Sequence, residues 1–397
     1  MKKILVAMSG GVDSSVAAAL LVEQGYEVAG ATMRTWASGT CVNRNTKACC
    51  GLTGVEDARD VAERLGIRYW VFNFEEEFKR HVVDYFASEY RLGRTPNPCI
   101  ACNEHIKFRL FLKRARQLGF DAIATGHYAR LASEGTVPLK GTGKESSPER
   151  WDAPLPGTTY WIEEGIDPTK DQSYVLFPLD QEVLSRTLLP LGAYRKSEIR
   201  ERARSLGLVS VMEKPDSQEI CFIPSNDYPA FLEKEFEVEK KPGVIRTKDG
   251  NVLGTHDGYH QFTRGQRRGL GVSRGEPAGR PYYVLETIPE TNEVIVGEKE
   301  EVLDTTFRVE RVNWMIFPSP PPSPQRGEGQ GEGGRFSFQA HVKIRSQHPK
   351  APAGVEILDE SSVRVCFKEP QEAVTPGQAA VFYDGPRVIG GGWIASP

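Results

Sequence analysis

The chain has 397 residues and a formal net charge of −3, which is too long for one ordinary core and lacks the bulk positive charge of a protein that coats nucleic acid. Two or three domains are expected, and any RNA site must be local. Its seven cysteines, an odd number, fit a reducing, cytoplasmic compartment and exclude a disulfide framework.

The first apolar run, Ile4–Met8, stops at Ser9-Gly10-Gly11 and is too short for the core of a signal peptide. The next, Val16–Val22, is seven residues long, far below the roughly 20 that span a bilayer, so a soluble protein with no membrane partner is expected. Strand-like runs at Ile4–Met8, Val28–Met33, Tyr69–Phe74 and Ala122–Thr125 alternate with helical spacing at Ser14–Gln24, Val55–Leu65, Glu77–Tyr90 and Glu104–Leu118. That alternation predicts an α/β domain over 1–205, built on a parallel sheet with crossover helices. A small mixed domain follows over 206–278. Over 279–397 short alternating runs (Tyr282–Leu285, Glu293–Val296, Arg308–Val312, Phe338–Ile344, Val363–Phe367, Ala379–Tyr383) predict an antiparallel β-barrel. Two stretches, 134–157 and 317–335, look like insertions and are expected to carry no function; the Pro- and Gly-rich 317–335 cannot pack a core and is expected to be a disordered surface loop.

The most informative element is the strand Ile4–Met8 followed by Ser9-Gly10-Gly11-Val12-Asp13-Ser14-Ser15 and a helix. A strand, a glycine turn and a helix N-terminus together offer backbone N–H groups and partial positive charge to a phosphate. Gly10 and Gly11 permit close approach, Ser9, Ser14 and Ser15 offer hydroxyls, and Asp13 is a candidate to hold Mg²⁺ on a departing pyrophosphate. The string has neither the Walker lysine nor G-x-G-x-x-G spacing. It resembles the PP-loop of the ATP pyrophosphatases, which cleave ATP between the α and β phosphates. That resemblance implies ATP contacts from Ala7, Met8, Ser9, Gly10, Gly11, Val12, Asp13 and Ser14, and from Met33 and Gly126.

Downstream, Asn97-Pro98-Cys99-Ile100-Ala101-Cys102-Asn103 sets two thiols three apart at the start of the predicted Glu104–Leu118 helix, where a helix N-terminus favours the thiolate. Cys221 lies in the polar segment Asp216–Ile223 and is the expected partner; Cys366, in a predicted strand, reads as a buried core cysteine. The basic run Lys107, Arg109, Lys113, Arg114 and Arg116 reads either as an RNA face or as the solvated side of an amphipathic helix, whereas Arg264, Arg267 and Arg268 among glycines read as phosphate contacts.

The stretches SGGVDSS, TPNPCIACN, ATGHYAR, KDQSYVL, DSQEICF, FTRGQRRGLG and TPGQAAVFYDG together resemble the tRNA-specific 2-thiouridylase (MnmA) family over nearly the full chain. The resemblance implies an N-terminal PP-loop domain, adenine nucleotide alpha hydrolase-like, followed by a central domain and a barrel. It makes Cys102 the catalytic nucleophile, Cys221 the persulfide carrier, and Asn97, Pro98 and Cys99 the lining of the target base. It assigns tRNA contacts to His127, Lys170, Asp171, Gln172, Arg345, Ser346 and Gln378. The implied reaction is ATP-dependent 2-thiolation of a wobble uridine, with sulfur from a persulfide donor, a cysteine desulfurase or a relay protein. Many members carry Asp where this chain has Cys99, so an alternative is a [4Fe–4S] cluster on Cys99, Cys102 and Cys221. Two further readings are a PP-loop ligase of a small metabolite, which leaves the cysteines unexplained, and a non-catalytic iron–sulfur RNA-binding protein, which leaves the ATP loop idle.

Overall fold

The computed structural model describes residues 1–35, 52–134, 157–208, 220–223, 227–236, 238, 240–272, 281–317 and 336–396. Cys41, Cys49 and Cys50, nearly all of 134–157 and all but Phe317 of the 317–335 stretch lie outside them. The chain divides into two compact units, the first comprising residues 1–83, 99–224 and 386–389, the second 84–98, 225–385 and 390–397.

In the first unit β1 (Lys3–Ala7), β2 (Glu27–Arg34), β3 (Arg68–Asn73), β4 (Ala122–Ala124) and the short β7 (Thr187–Leu188) form a sheet of order β3-β2-β1-β4-β7. Every pairing in it is parallel. The buried apolar runs of β1 and β4 are what a sheet covered on both faces requires. Helices α1 (Val12–Glu23) and α2 (Leu52–Arg64) join the early strands. Val16, Leu20, Ala58 and Val61 from these helices share a core with Ile4, Val6, Ala122, Ile199 and Ala203. Strand order reverses at β1, so its C-terminal end faces the crevice where α/β sheets bind ligands.

The two longer predicted helices are interrupted. α3 (Glu75–Phe78) runs into a π-helical segment, Lys79–Val83, and then, in the second unit, α4 (Asp84–Arg91). The thiol-bearing helix begins at Pro98, earlier than predicted, as α5 (Pro98–Ala101), a π-helical segment Cys102–Leu110 and α6 (Phe111–Gln117). Proline suits the first helical position because its fixed φ is already helical and its missing N–H is not needed there. The hairpin β5 (Ala129–Glu134) and β6 (Thr159–Glu164) is antiparallel, and Arg387 pairs with Glu163 on its other side. α7 (Gln181–Leu184) and α8 (Lys196–Ser205) complete the unit.

In the second unit α9 (Tyr228–Phe236) precedes a sheet of order β10-β11-β8-β9, from β8 (Gly243–Thr247), β9 (Val252–His256), β10 (Tyr283–Ile288) and β11 (Glu293–Gly297). The boundary expected at 278 falls between β9 and β10 of this one sheet, whose strands share a core of Ile245, Val284, Val294 and Val296. β12 (Leu303–Trp314), β13 (Ser337–Lys343), β14 (Ala351–Asp359), β15 (Ser362–Glu372), β16 (Ala379–Asp384) and β17 (Arg387–Ile394) form the antiparallel barrel, closed by pairing of β12 with β17. Cys366 departs from its expected burial: Val363, Val365 and Phe367 point inward, so the period of two turns Cys366 out to solvent.

Candidate active site

Beyond β1 the backbone bends at Gly10, whose φ of 72° lies in the left-handed region. A side chain there would drive into the carbonyl of Gly54 in α2. α1 then starts behind Gly11, an extended cap with no side-chain hydrogen bond, which leaves the first helical N–H groups to an anion. Two of the expected hydroxyl donors are spent inside the loop: Ser14 and Ser15 each donate to the Gly11 carbonyl, at 3.1 and 2.9 Å. Exposed Ser9 donates its N–H to Ser14 Oγ at 3.1 Å. Met8 and Val12 are buried in the core, and Met33 sits half-buried near the end of β2, the strand beside β1.

Asp13, expected to meet a metal, is held by protein. The Lys196 ammonium lies 2.8 and 2.7 Å from its two carboxylate oxygens, and the Tyr128 hydroxyl donates to one of them at 2.6 Å. Sequence reading missed both partners. Lys196 opens an amphipathic helix, where a lysine reads as solvated surface, yet only about a tenth of its side chain is exposed. A single carboxylate fits a Mg²⁺ that arrives on a triphosphate, because Mg²⁺ keeps phosphate oxygens and waters as its other ligands.

The turn after β4 links the nucleotide loop to the thiol helix. Gly126 packs against α1 so closely that a Cβ there would sit 3.0 Å from Asp13 C and Ser14 N. His127, expected to touch tRNA, is buried, with Nδ1 2.7 Å from Thr125 Oγ1 and Nε2 3.2 Å from Asn103 Oδ1. Asn103 Nδ2 donates to Val175 O at 3.2 Å, so its oxygen faces the ring, the Nε2 proton points to it, and Nδ1 accepts from Thr125. Burial, aided by the charge of Lys107, pulls the His127 pKa down to about 3. The ring is therefore neutral and braces Asn103, the neighbour of Cys102 on the thiol helix.

Cys102 is buried, while Cys99 and Cys221 are exposed. Phe222, beside Cys221, meets Phe78 edge-on at 5.7 Å, and one turn further the His81 ring lies 4.8 Å from that of His105, tilted by 32°. The same short helical stretch thus touches both the Cys221 segment and the helix of Cys102. Both of these imidazoles are held below their ordinary pKa, chiefly by burial. Among the described residues no group of three His, Cys, Asp or Glu side chains could hold a metal ion.

The expected RNA contacts divide. Asp171 accepts from the N–H groups of Gly165 and Ser173, at 3.0 and 3.2 Å, and Gln172 Oε1 accepts from Tyr128 N at 2.9 Å, so both shape a loop in which Lys170 is half-exposed. In the second unit Arg345 is exposed and Ser346 half-buried after β13, and Gln378 donates to Thr95 O at 2.8 Å, bracing the segment that leads to Asn97 and Pro98. Arg264, read as a phosphate contact, pairs with Asp304 at 2.9 Å and donates to Leu285 O, whereas Arg267 and Arg268 are exposed. Arg109 and Arg116 pair with Asp180 and Glu182, as the solvated-helix reading requires. Among the described residues no helix is long and apolar enough to cross a membrane.

Three family models match the chain in succession. They are described as a tRNA methyl transferase HUP domain over residues 2–225, a tRNA methyl transferase PRC-barrel domain over 229–298, and an aminomethyltransferase beta-barrel domain over 304–394. The tRNA-specific 2-thiouridylase MnmA of Carboxydothermus hydrogenoformans is 47% identical over 394 residues, covering 99% of this chain and 97% of that protein. Its counterpart in Symbiobacterium thermophilum is 45% identical, covering 99% and 92%. A solved 4-thiouridine synthetase–RNA complex with bound ATP aligns with 59% of this chain and 50% of that one, at 19% identity and a TM-score of 0.31.

Proposed function

The chain belongs to the tRNA-specific 2-thiouridylase family, and from that premise we propose that it uses ATP to adenylate the C2 oxygen of a wobble uridine in tRNA and replaces that oxygen with sulfur. The observation that carries the reading is the turn Thr125–Tyr128, which packs on the nucleotide loop through Gly126 and on the thiol helix through His127 and Asn103. One rigid turn thus couples the element suited to ATP to the element suited to sulfur. The family models are described as methyl transferases and the relatives as thiouridylases; thiols beside a PP-loop favour the second.

A uridine carbonyl oxygen is a poor leaving group, and transfer of AMP to it makes it a good one. The uridine O2 attacks the α-phosphorus and pyrophosphate departs, with the loop N–H groups holding phosphate; Asp13 is the residue that would hold a Mg²⁺, which would supply counter-charge to the pyrophosphate. The terminal sulfur of a Cys221 persulfide then attacks C2 and expels AMP. The Cys102 thiolate next cleaves the S–S bond, which leaves 2-thiouridine and a Cys102–Cys221 disulfide for a two-electron reductant. Asn97, Pro98 and Cys99 line the splayed-out base, and Lys170, Arg345 and Ser346 touch the tRNA. The reading includes a cytoplasmic location and a persulfide donor, a cysteine desulfurase or a relay protein. ATP–pyrophosphate exchange that depends on added tRNA tests the first half. In the second half, Cys221→Ser and Cys102→Ser should keep that exchange and yield no 2-thiouridine by nucleoside mass spectrometry. Thiolation by either variant would remove the assigned sulfur route.

A further inference from the structure

Lys196 has no part in the reaction as written, yet its placement is costly. Its ammonium is taken largely out of water against Asp13, and a desolvated ion pair returns little net stability. Its position is fixed from several sides. The backbone N–H of Lys196 donates to Asp167 at 3.0 Å, and Ile199 and Ala203 of the same helix pack into the core that includes Val16 and Leu20 of α1. The ammonium also lies 5.6 Å from the centroid of the Tyr128 ring, and the hydroxyl of that ring holds the same carboxylate. A cation fixed on the second residue of the nucleotide helix stands beside the cradle where phosphate charge must be met.

We infer that Lys196 is the counter-charge of the departing pyrophosphate, stored on Asp13 until ATP arrives. The inference deepens the adenylation reading and rests on it. In the nucleotide-free protein Lys196 neutralises Asp13; with ATP bound, Asp13 would be the residue to hold a Mg²⁺, and the ammonium would turn to the departing phosphates. Two cations and two anions exchange partners. As the uridine oxygen bonds to the α-phosphorus, the bond to the α,β-bridging oxygen breaks, and the growing charge on pyrophosphate is met by the Lys196 ammonium, which keeps its proton throughout. The pair also keeps a bare carboxylate from repelling the incoming triphosphate.

The test uses full-length protein with tRNA, Mn²⁺ as a spin probe for Mg²⁺, and α,β-methylene ATP. Two quantities are read: Mn²⁺ affinity by electron paramagnetic resonance, and tRNA-dependent ATP–pyrophosphate exchange. Lys196→Gln should lose about 10²–10³-fold in exchange, the loss typical of removing one transition-state donor, while binding Mn²⁺ more tightly because no ammonium competes for Asp13. Lys196→Arg should shift Mn²⁺ the other way, since a guanidinium grips a carboxylate at two points, and should retain more exchange than the glutamine variant. A lysine that merely paired with Asp13 would move metal affinity in these directions without the loss of exchange, so the two quantities are read together. Exchange by Lys196→Gln within about threefold of wild type, or Mn²⁺ affinity unaltered in either variant, would overturn the inference; if the glutamine variant does not fold, the arginine variant alone decides on metal affinity. Absence of tRNA-dependent exchange in the wild-type protein would instead remove the adenylation reading itself.

Discussion

At His127, burial holds the imidazole neutral, with a pKa of about 3 against an ordinary 6.5. The unfolded chain binds a proton at this residue between those values and the folded chain does not, so this contribution to stability is complete above 6.5 and is lost as pH falls toward 3. His81, His105, His256 and His348 are depressed in the same direction, so the effect must be read as a difference. His127→Gln should lose less urea resistance than wild type between pH 7 and pH 5, and an equal loss would remove the titration argument. At Asp13, the alanine variant should abolish ATP–pyrophosphate exchange with tRNA binding unchanged by filter assay. It also strands the Lys196 ammonium, so Asp13→Asn is the milder probe of the same point. The motif made Asp13 and Gly126 legible in the sequence. Lys196 was not, because its partner lies 183 residues away and no local pattern marks a lysine that turns inward. His127 and Arg264 were legible as polar residues near glycine turns, but whether they face solvent depends on Asn103 and Asp304, which only the fold supplies.

Among the elements, the nucleotide loop depends on one conformation. Gly10→Ala would need a left-handed φ and would meet the Gly54 carbonyl. It should cost about 1–3 kcal/mol of stability and lose ATP binding by equilibrium dialysis; retained binding would show that the loop does not need this close approach. β1 to β4 were legible as short β-rich runs between helical patterns, whereas β7, two residues long, was not. β14 and β17 were not, since Pro352, Gly354, Gly390 and Gly392 read as breakers. Pro352 is tolerated because the ladder from β14 to β15 begins only at Ala353. Gly390 and Gly392 lie where a side chain would strike the carbonyls of Asn313 and Glu310 on β12, so barrel closure itself selects residues that local propensity reads as a loop. The π-helical segments at Lys79–Val83 and Cys102–Leu110 were equally hidden, because one extra residue in a turn leaves the apolar spacing nearly unchanged.

For the whole molecule, Ser319–Gly334, expected from its composition to carry no function, lies outside the described residues. Deleting it should leave thiolation within a few-fold of wild type, and a collapse of tRNA affinity would show otherwise. The end of the described chain should behave differently. A chain stopped at Gly385 loses Pro386–Ile389 from the first unit and the β12–β17 closure from the second, so both ATP binding and the melting temperature should fall. In the first unit the lost stretch includes a hydrogen bond from Glu164 N to Pro386 O at 2.9 Å and the Arg387 guanidinium 5.0 Å from the Trp161 ring. That arrangement has a consequence for biosynthesis. Hairpin β5–β6 leaves the ribosome more than two hundred residues before the strand that covers its other edge. At about 5–20 residues per second, β6 waits roughly 10–45 s as an open strand. Through that interval the nascent chain carries an unpaired edge beside Trp161, which makes β6 the place where a chaperone would guard it or a neighbouring nascent chain would capture it.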